Sequence, residues 1–225
     1  MPINWFRTLS RGPFFESLRQ SQKNHLVSAG LLRSSSFNFI NPRHHVATTY
    51  CVTQKLLESD IAGLSDEEVL AFFTTGFFGG YVFACERSIL KAGGWRYLPA
   101  QFSNFEDDPA ARTIWDNAEI PNTKLLPLGS CLYGSFKLID KHVSVSPGSE
   151  PSYVDYGFGS DRFAFGGCHR VQITRSPQLE VQLQQFICNP TKDTQPRMGE
   201  YLDKFHIVYV KLLFADGIRS VLVRG

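Results

Sequence analysis

The chain has 225 residues, 43% of them hydrophobic, 13% aromatic and 19 of them phenylalanine. This length and composition predict a single domain, residues 1–225, with a sizeable apolar core. Because 23 basic residues oppose 21 acidic ones and no basic cluster marks one face, the charge pattern excludes a typical nucleic-acid-binding protein.

Residues 1–60 are predicted to form an N-terminal extension with helix. Residues 1–45 carry six Lys and Arg residues, several serines and a single acid, Glu16. This composition resembles a mitochondrial transit peptide. The favoured alternative is an ordinary N-terminal helix in a cytoplasmic protein. Its docking residues would be Phe14, Phe15, Leu18, Leu26 and Leu31.

Residues 65–92 form the first clear element, a Phe-rich helix that begins at a capping box of Ser65 and Glu68. Glycines 76, 79 and 80 interrupt it. They either let another backbone or a ligand come close, or break the helix in two near Gly76. Glu86, beside the apolar stripe, is expected to be an exposed charge, with a buried acid as the alternative. Residues 94–128 are predicted to be a long surface excursion around Trp115.

Residues 130–188 show apolar and polar residues in alternation, which predicts antiparallel strands near 130–140, 152–158, 163–174 and 179–187. A loop over 159–162 would pair Phe158 with Phe163, Tyr156 with Phe165, and Val154 with Gly167. One face of the resulting meander would be apolar and buried. The other face would be solvated and would carry Asp155, Arg170 and Lys137 as exposed charges.

Residues 197–222 follow as an amphipathic helix, which Asp216-Gly217 is expected to break near its end. Because an isolated meander is marginally stable in water, this helix is the natural cover for its apolar face. The predicted fold class is therefore α+β. An antiparallel β-sheet is wrapped on a long C-terminal helix, and helices precede it at the N-terminus.

Three short segments carry a resemblance to a known family: residues 153–160 (YVDYGFGS), 165–173 (FGGCHRVQI) and 185–190 (QFICNP). Together with the terminal helix they resemble an uncharacterised START-like family, over about residues 130–222. The resemblance implies the helix-grip fold that lipid-transfer proteins and polyketide cyclases share. It leaves the activity open, because that fold serves both carriers and enzymes.

His169 and Tyr156 are the candidate catalytic residues, since both are predicted on the face toward the helix. A histidine there can act as a general base or acid, and a tyrosine can donate to a developing oxyanion. The alternative for His169 is a core histidine bonded to a backbone carbonyl or to Ser152, its predicted cross-strand neighbour. The alternative for Tyr156 is an amphipathic wall residue.

A hydrophobic small molecule is the predicted ligand or substrate. Gly167 would leave space at the centre of its site, and the proposed substrate-binding residues are Gln185, Phe165, Gly167, Tyr209 and Phe205. The predicted function is that of a cofactor-free cyclase, isomerase or dehydratase. The alternatives are a non-catalytic carrier or sensor of a lipid-like ligand, and a protein-interaction module with a filled interior.

Several classes of site and partner are not expected. The sequence has no phosphate-binding loop, dinucleotide fingerprint, nucleophile elbow or zinc-protease motif. Its five cysteines lack metal-ligand spacing, which predicts reduced thiols, and the adjacent His44 and His45 make a weak metal site. We therefore expect no metal and no cofactor. No apolar run is long enough for a membrane span. A homodimer is left open.

Overall fold

The computed structural model describes residues 12–24, 26–93, 99–146, 148–196 and 200–224, and side chains 200–204 are not described. The strands are β1 (Gln22–Asn24), β2 (Ala47–Lys55), β3 (Thr113–Ile114), β4 (Cys131–Leu132), β5 (Phe136–His142), β6 (Ser152–Gly159), β7 (Gly166–Thr174) and β8 (Glu180–Cys188). The helices are α1 (Pro13–Gln20), α2 (Ala29–Leu32), α3 (Ser35–Ile40), α4 (Asp66–Gly79), α5 (Ala84–Gly93) and α6 (Glu200–Val223).

The strands form one eight-stranded sheet in the order β1-β2-β8-β7-β6-β5-β4-β3. All neighbours are antiparallel except β3 and β4. The α+β class and the packing of the C-terminal helix on the sheet are confirmed. Strand β2 was not predicted from the sequence. It lies inside the segment predicted to be an N-terminal extension, and it pairs with β8 over its whole length. Its Thr, Tyr and Val content was the available signal.

The register of the β6–β7 hairpin differs from the predicted one. Phe158 pairs with Gly167, and Tyr156 pairs with His169. The prediction was wrong because the loop spans 160–165 rather than 159–162, and it leaves Phe163 exposed in that loop. Since the partner of Phe158 moves from 163 to 167, an even number of residues, the faces of the strands are preserved.

The sheet is covered on both faces, so the predicted solvated face is wrong. Helices α4 and α6 pack on one face, with the larger apolar cluster between them and the sheet. On the other face, Leu31 of α2 and Phe37 of α3 pack against residues such as Phe186 in β8. The predicted docking of Leu31 is confirmed, whereas Leu26 and Phe15 are exposed.

Asp155 and Arg170, predicted to be exposed, are buried beneath that second layer, with 0% and 3% of their surfaces accessible. Arg170 donates from Nε to Asp155 Oδ1 at 2.7 Å and from Nη2 to Oδ2 at 2.6 Å. Ser36 of α3 donates to the same carboxylate. Although burial alone lowers the pKa of Arg170, the Asp155 carboxylate raises it, and the two charge-assisted hydrogen bonds favour the ionised pair. Lys137 instead pairs with Asp107 at the surface.

The predicted 65–92 helix is two helices, α4 and α5, bent by 72°. The capping box at its start is confirmed, with Ser65 N–H donating to Glu68 at 2.8 Å. The break follows Gly79 rather than Gly76. Gly76 instead permits the close approach of another backbone: a Cβ atom there would lie 2.5 Å from the carbonyl oxygen of Asp216.

Asp216 and Gly217 do not break α6, which continues to Val223. Gly217 packs against the ring of Phe73, where a Cβ atom would lie 2.7 Å from ring carbons. Asp216 accepts the backbone N–H of Val82 at 3.0 Å, in the bend between α4 and α5. These residues therefore join α6 to the bent helix pair.

Residues 99–128 lie partly in the core and are not the predicted surface excursion, of which residues 94–98 fall outside the described ranges. Ile114, Ile120 and Leu126 are buried, and Trp115 packs against the same cluster. Two of the six basic residues of the N-terminal segment, Arg7 and Arg11, also lie outside the described ranges. Within the described ranges, no single helix has the length and apolarity to cross a membrane, although α4 and α5 meet both criteria when counted together.

Candidate functional site

A cavity of about 180 Å³ lies between the sheet and helices α4, α5 and α6. Five phenylalanines and four aliphatic residues form its apolar wall: Phe77, Phe83, Phe136, Phe158, Phe165, Leu90, Ile187, Val210 and Leu213. Six polar residues complete it: Glu86, Ser135, His169, Gln185, His206 and Tyr209. A cavity of about 150 Å³ in another protein holds benzene, so this one has room for a molecule of roughly one ring.

His169 enters the cavity wall from β7 and is surrounded by aromatic rings. Its ring centroid lies 4.9 Å from that of Phe158, 5.5 Å from Phe77 and 5.9 Å from Phe136. Only 7% of its surface is accessible. This burial, together with the electrostatic influence of His206, lowers the pKa of His169 to about 3. The imidazole is therefore neutral at pH 7.

The Nδ1 atom of His169 is buried, and no hydrogen-bond partner for it exists among the described residues. Among the described residues, His169 does not form the hydrogen bond to Ser152 that was considered above. Ser152 lies opposite Ile173 in the sheet, and its hydroxyl donates to Asp66 instead. A buried polar group without a partner costs about 1–3 kcal/mol. Such a group in a cavity wall is a natural contact for a ligand.

Gln185 and His206 face each other across the cavity wall. The amide nitrogen and oxygen of Gln185 lie 3.0 and 3.2 Å from His206 Nε2, and the tautomer decides which atom donates. The sequence analysis missed His206. Its helical spacing was the available signal, since His206, Tyr209, Val210 and Leu213 lie on one stripe of α6.

Glu86 and Tyr209 form a hydrogen-bonded pair that bridges α5 and α6. The Tyr209 hydroxyl donates to Glu86 at 2.8 Å. Burial raises the pKa of Glu86, although the bond from Tyr209 opposes that shift. Glu86 is thus a half-buried carboxyl in the cavity wall, and the expectation of an exposed charge is wrong.

Ser135 is a second residue that the sequence analysis missed. It lies in the turn between β4 and β5, which Tyr133 and Gly134 form with φ angles of 52° and 71°. It is 2% accessible, and its hydroxyl has no hydrogen-bond partner within the described ranges. Periodicity could not identify it, since a turn residue belongs to no face of a strand or helix.

The structure brings four of the seven predicted site residues together: His169, Gln185, Phe165 and Tyr209 all line the cavity. The other three do not line it.

Tyr156 is fully buried and its hydroxyl donates to Thr74 at 3.4 Å, away from the cavity lining. Gly167 leaves no space, because the ring of Phe158 fills the position that a Cβ atom would take. Phe205 is 65% exposed and stacks on Tyr209 with ring centroids 5.8 Å apart.

No three His, Cys, Asp or Glu side chains in the described ranges are grouped so that they could hold a metal ion. His45, one of the adjacent pair considered above, lies 3.1 Å from the carbonyl oxygen of Asn189 through Nδ1. The chemistry available in the cavity is therefore that of a carboxyl, a phenol, two imidazoles, an amide and a hydroxyl.

Comparisons of the chain with protein-family models, with curated proteins and with solved structures found no significant match.

Proposed function

We propose that this protein binds a small, largely apolar molecule in the cavity between the sheet and α6. The observation that supports this most directly is the combination of an aromatic wall with polar side chains inside it. Such a wall supplies affinity, and a few placed polar groups supply orientation, as is typical of small-molecule sites. We also propose a helix-grip fold, as the START-like resemblance implies, because the antiparallel sheet packs on a long C-terminal helix.

Filling the cavity tests this proposal. Val210 is buried and lines the cavity, so Val210→Phe should place a ring where the ligand lies. Val208, two residues earlier on α6, is exposed, so Val208→Phe is the matched control. Native mass spectrometry of the purified proteins should find a bound small molecule in the wild type and in Val208→Phe, and none in Val210→Phe.

Two results would contradict the proposal that the cavity binds a small molecule. One is a wild-type protein that carries no small molecule and gains no thermal stability from any compound in a library of one-ring molecules. The other is a bound molecule that Val210→Phe retains as fully as Val208→Phe does.

Acid–base catalysis on the bound molecule is the second candidate, and the state of Glu86 favours it. A carboxyl whose pKa is raised by burial keeps its proton to a higher pH than an exposed carboxyl does, which suits it to act as a general acid or base. His169 is a weak base because of its low pKa, and Tyr156 lies away from the cavity lining. A cyclase, isomerase or dehydratase would therefore use Glu86 with Tyr209, and a carrier would use neither.

The variant Glu86→Gln distinguishes an enzyme from a carrier, because the amide keeps the shape of the side chain but cannot transfer a proton. The molecule recovered by native mass spectrometry is incubated with fresh protein in D₂O. An enzyme should transfer deuterium to it or convert it, and Glu86→Gln should slow this by about 10²–10⁴-fold while binding changes little. A molecule returned unchanged and unlabelled by the wild type identifies a carrier.

A further inference from the structure

We infer that the ligand of this cavity is uncharged and presents a hydroxyl group on an apolar ring, as a phenol does, to His169 and Ser135. This inference rests on the proposed binding function and specifies the chemistry of its ligand.

The charges around the cavity argue against an anionic ligand. Among the described residues that line it, none is Lys or Arg, and Glu86 is an acid. The neighbouring cation, Arg87, donates to the backbone carbonyls of Phe78 and Gly80 at 2.9 and 3.1 Å and is not part of the lining. A carboxylate or phosphate would be desolvated there without a counter-charge, which is strongly unfavourable.

The environment of His169 argues against a cationic ligand. Phe77, Phe136 and Phe158 surround the imidazole closely enough that burial keeps it neutral. An ammonium group beside these rings would lose the same hydration. Glu86, the one acid in the described lining, already accepts a hydrogen bond from Tyr209, and burial raises its pKa, which favours its uncharged form. The aromatic faces attract cations, so a cationic probe belongs in the test.

The unpartnered polar atoms argue for a hydroxyl group. Two pairs in the lining already share hydrogen bonds: Gln185 with His206, and Glu86 with Tyr209. By contrast, His169 Nδ1 and Ser135 Oγ have no hydrogen-bond partner among the described residues. A neutral imidazole nitrogen without a proton accepts a hydrogen bond, and a serine hydroxyl can donate one. A ligand hydroxyl can donate to the first and accept from the second. A ketone or an ether can only accept.

Both side chains line the cavity, and both unpartnered atoms are buried, so the proposed hydrogen bonds require each side chain to turn its atom toward the bound molecule. The volume of about 180 Å³ limits the enclosed part of the ligand to roughly one ring. p-Cresol, an uncharged one-ring molecule with a single hydroxyl group, satisfies all these conditions.

Four probes with seven carbons each test the inference: p-cresol, toluene, benzoate and benzylamine. Their affinities for the full chain are measured at pH 7 by ligand-observed NMR and by calorimetry. We expect p-cresol to bind about tenfold or more tightly than toluene, consistent with a hydrogen bond to a buried, otherwise unpartnered group. Benzoate and benzylamine should bind at least as weakly as toluene.

The variants His169→Phe and Ser135→Ala test whether these two residues cause the preference for p-cresol over toluene. Each should reduce the ratio of p-cresol to toluene affinity to about twofold or less, and Ser135→Ala suffices if His169→Phe does not fold. Equal binding of p-cresol and toluene to the wild type overturns the inference and leaves the cavity proposal standing. Tightest binding of benzoate or benzylamine overturns it as well. If none of the four binds, the inference fails, and the Val210→Phe comparison decides separately whether the cavity binds any ligand.

Discussion

Arg170→Met should lower the free energy of unfolding by about 3–5 kcal/mol. The substitution removes both hydrogen bonds to Asp155 and leaves that carboxylate buried between the sheet and α3 with Ser36 as its remaining partner. It also removes the guanidinium that lies 3.9 Å from the ring centroid of Tyr153. Chemical denaturation monitored by circular dichroism measures the loss.

Two control variants distinguish the effect of breaking a buried ion pair from the effect of removing any single charge. Lys137→Met breaks a pair with a half-exposed partner, Asp107, and should cost about 1 kcal/mol or less. The double variant Asp155→Leu/Arg170→Met removes both buried charges and should recover much of the loss, because neither is left unpaired. An Arg170→Met protein as stable as the wild type would show that the pair is not buried as described.

Gly76→Ala should destabilise the protein by about 2–3 kcal/mol, in the upper part of the range for overpacked cores. The new Cβ atom would lie 2.5 Å from the carbonyl oxygen of Asp216, 2.6 Å from Ser220 Cβ and 2.9 Å from Gly217 Cα. Because two of these neighbours are backbone atoms, the clash can be relieved only by moving α6 away from α4. Thermal and chemical denaturation measure the effect.

Gly79→Ala is the matched control, three residues further along the same helix. The nearest atom to its Cβ would be Asn117 Cβ at 3.4 Å, which is ordinary contact. Alanine favours helix over glycine by about 1 kcal/mol in a helix interior, and Gly79 is the last residue of α4, so this variant should be neutral or slightly stabilised. Equal losses at both positions would show that the close approach of α6 at Gly76 is not the cause of the effect.

Local pattern predicted much of the architecture. The capping box at Ser65 begins α4 where expected, and the alternation between 152 and 187 corresponds to β6, β7 and β8. The inward placement of His169 and Gln185 was also predicted, even though the register was wrong. Alternation assigns a residue to a face by parity, and an error of four residues does not change parity.

The composition of the site depended on elements that are distant in the sequence. His169 and Gln185 come from the sheet, Glu86 comes from α5 after a bend at Gly79 and Gly80, and His206 comes from α6. No local pattern indicates the direction in which α5 leaves that bend. It depends on contacts such as the bond from Val82 to Asp216.

The burial of Asp155 and Arg170 also depended on residues that are distant in the sequence. The face on which they lie was predictable from the sequence, since both alternate with the apolar side chains. Their direct pairing across β6 and β7 was not, because the predicted register was wrong. Whether that face meets water or protein was not readable, because the cover comes from residues 29–40, more than a hundred positions away. Periodicity reports which side chains share a face, and long-range packing alone establishes what lies against it.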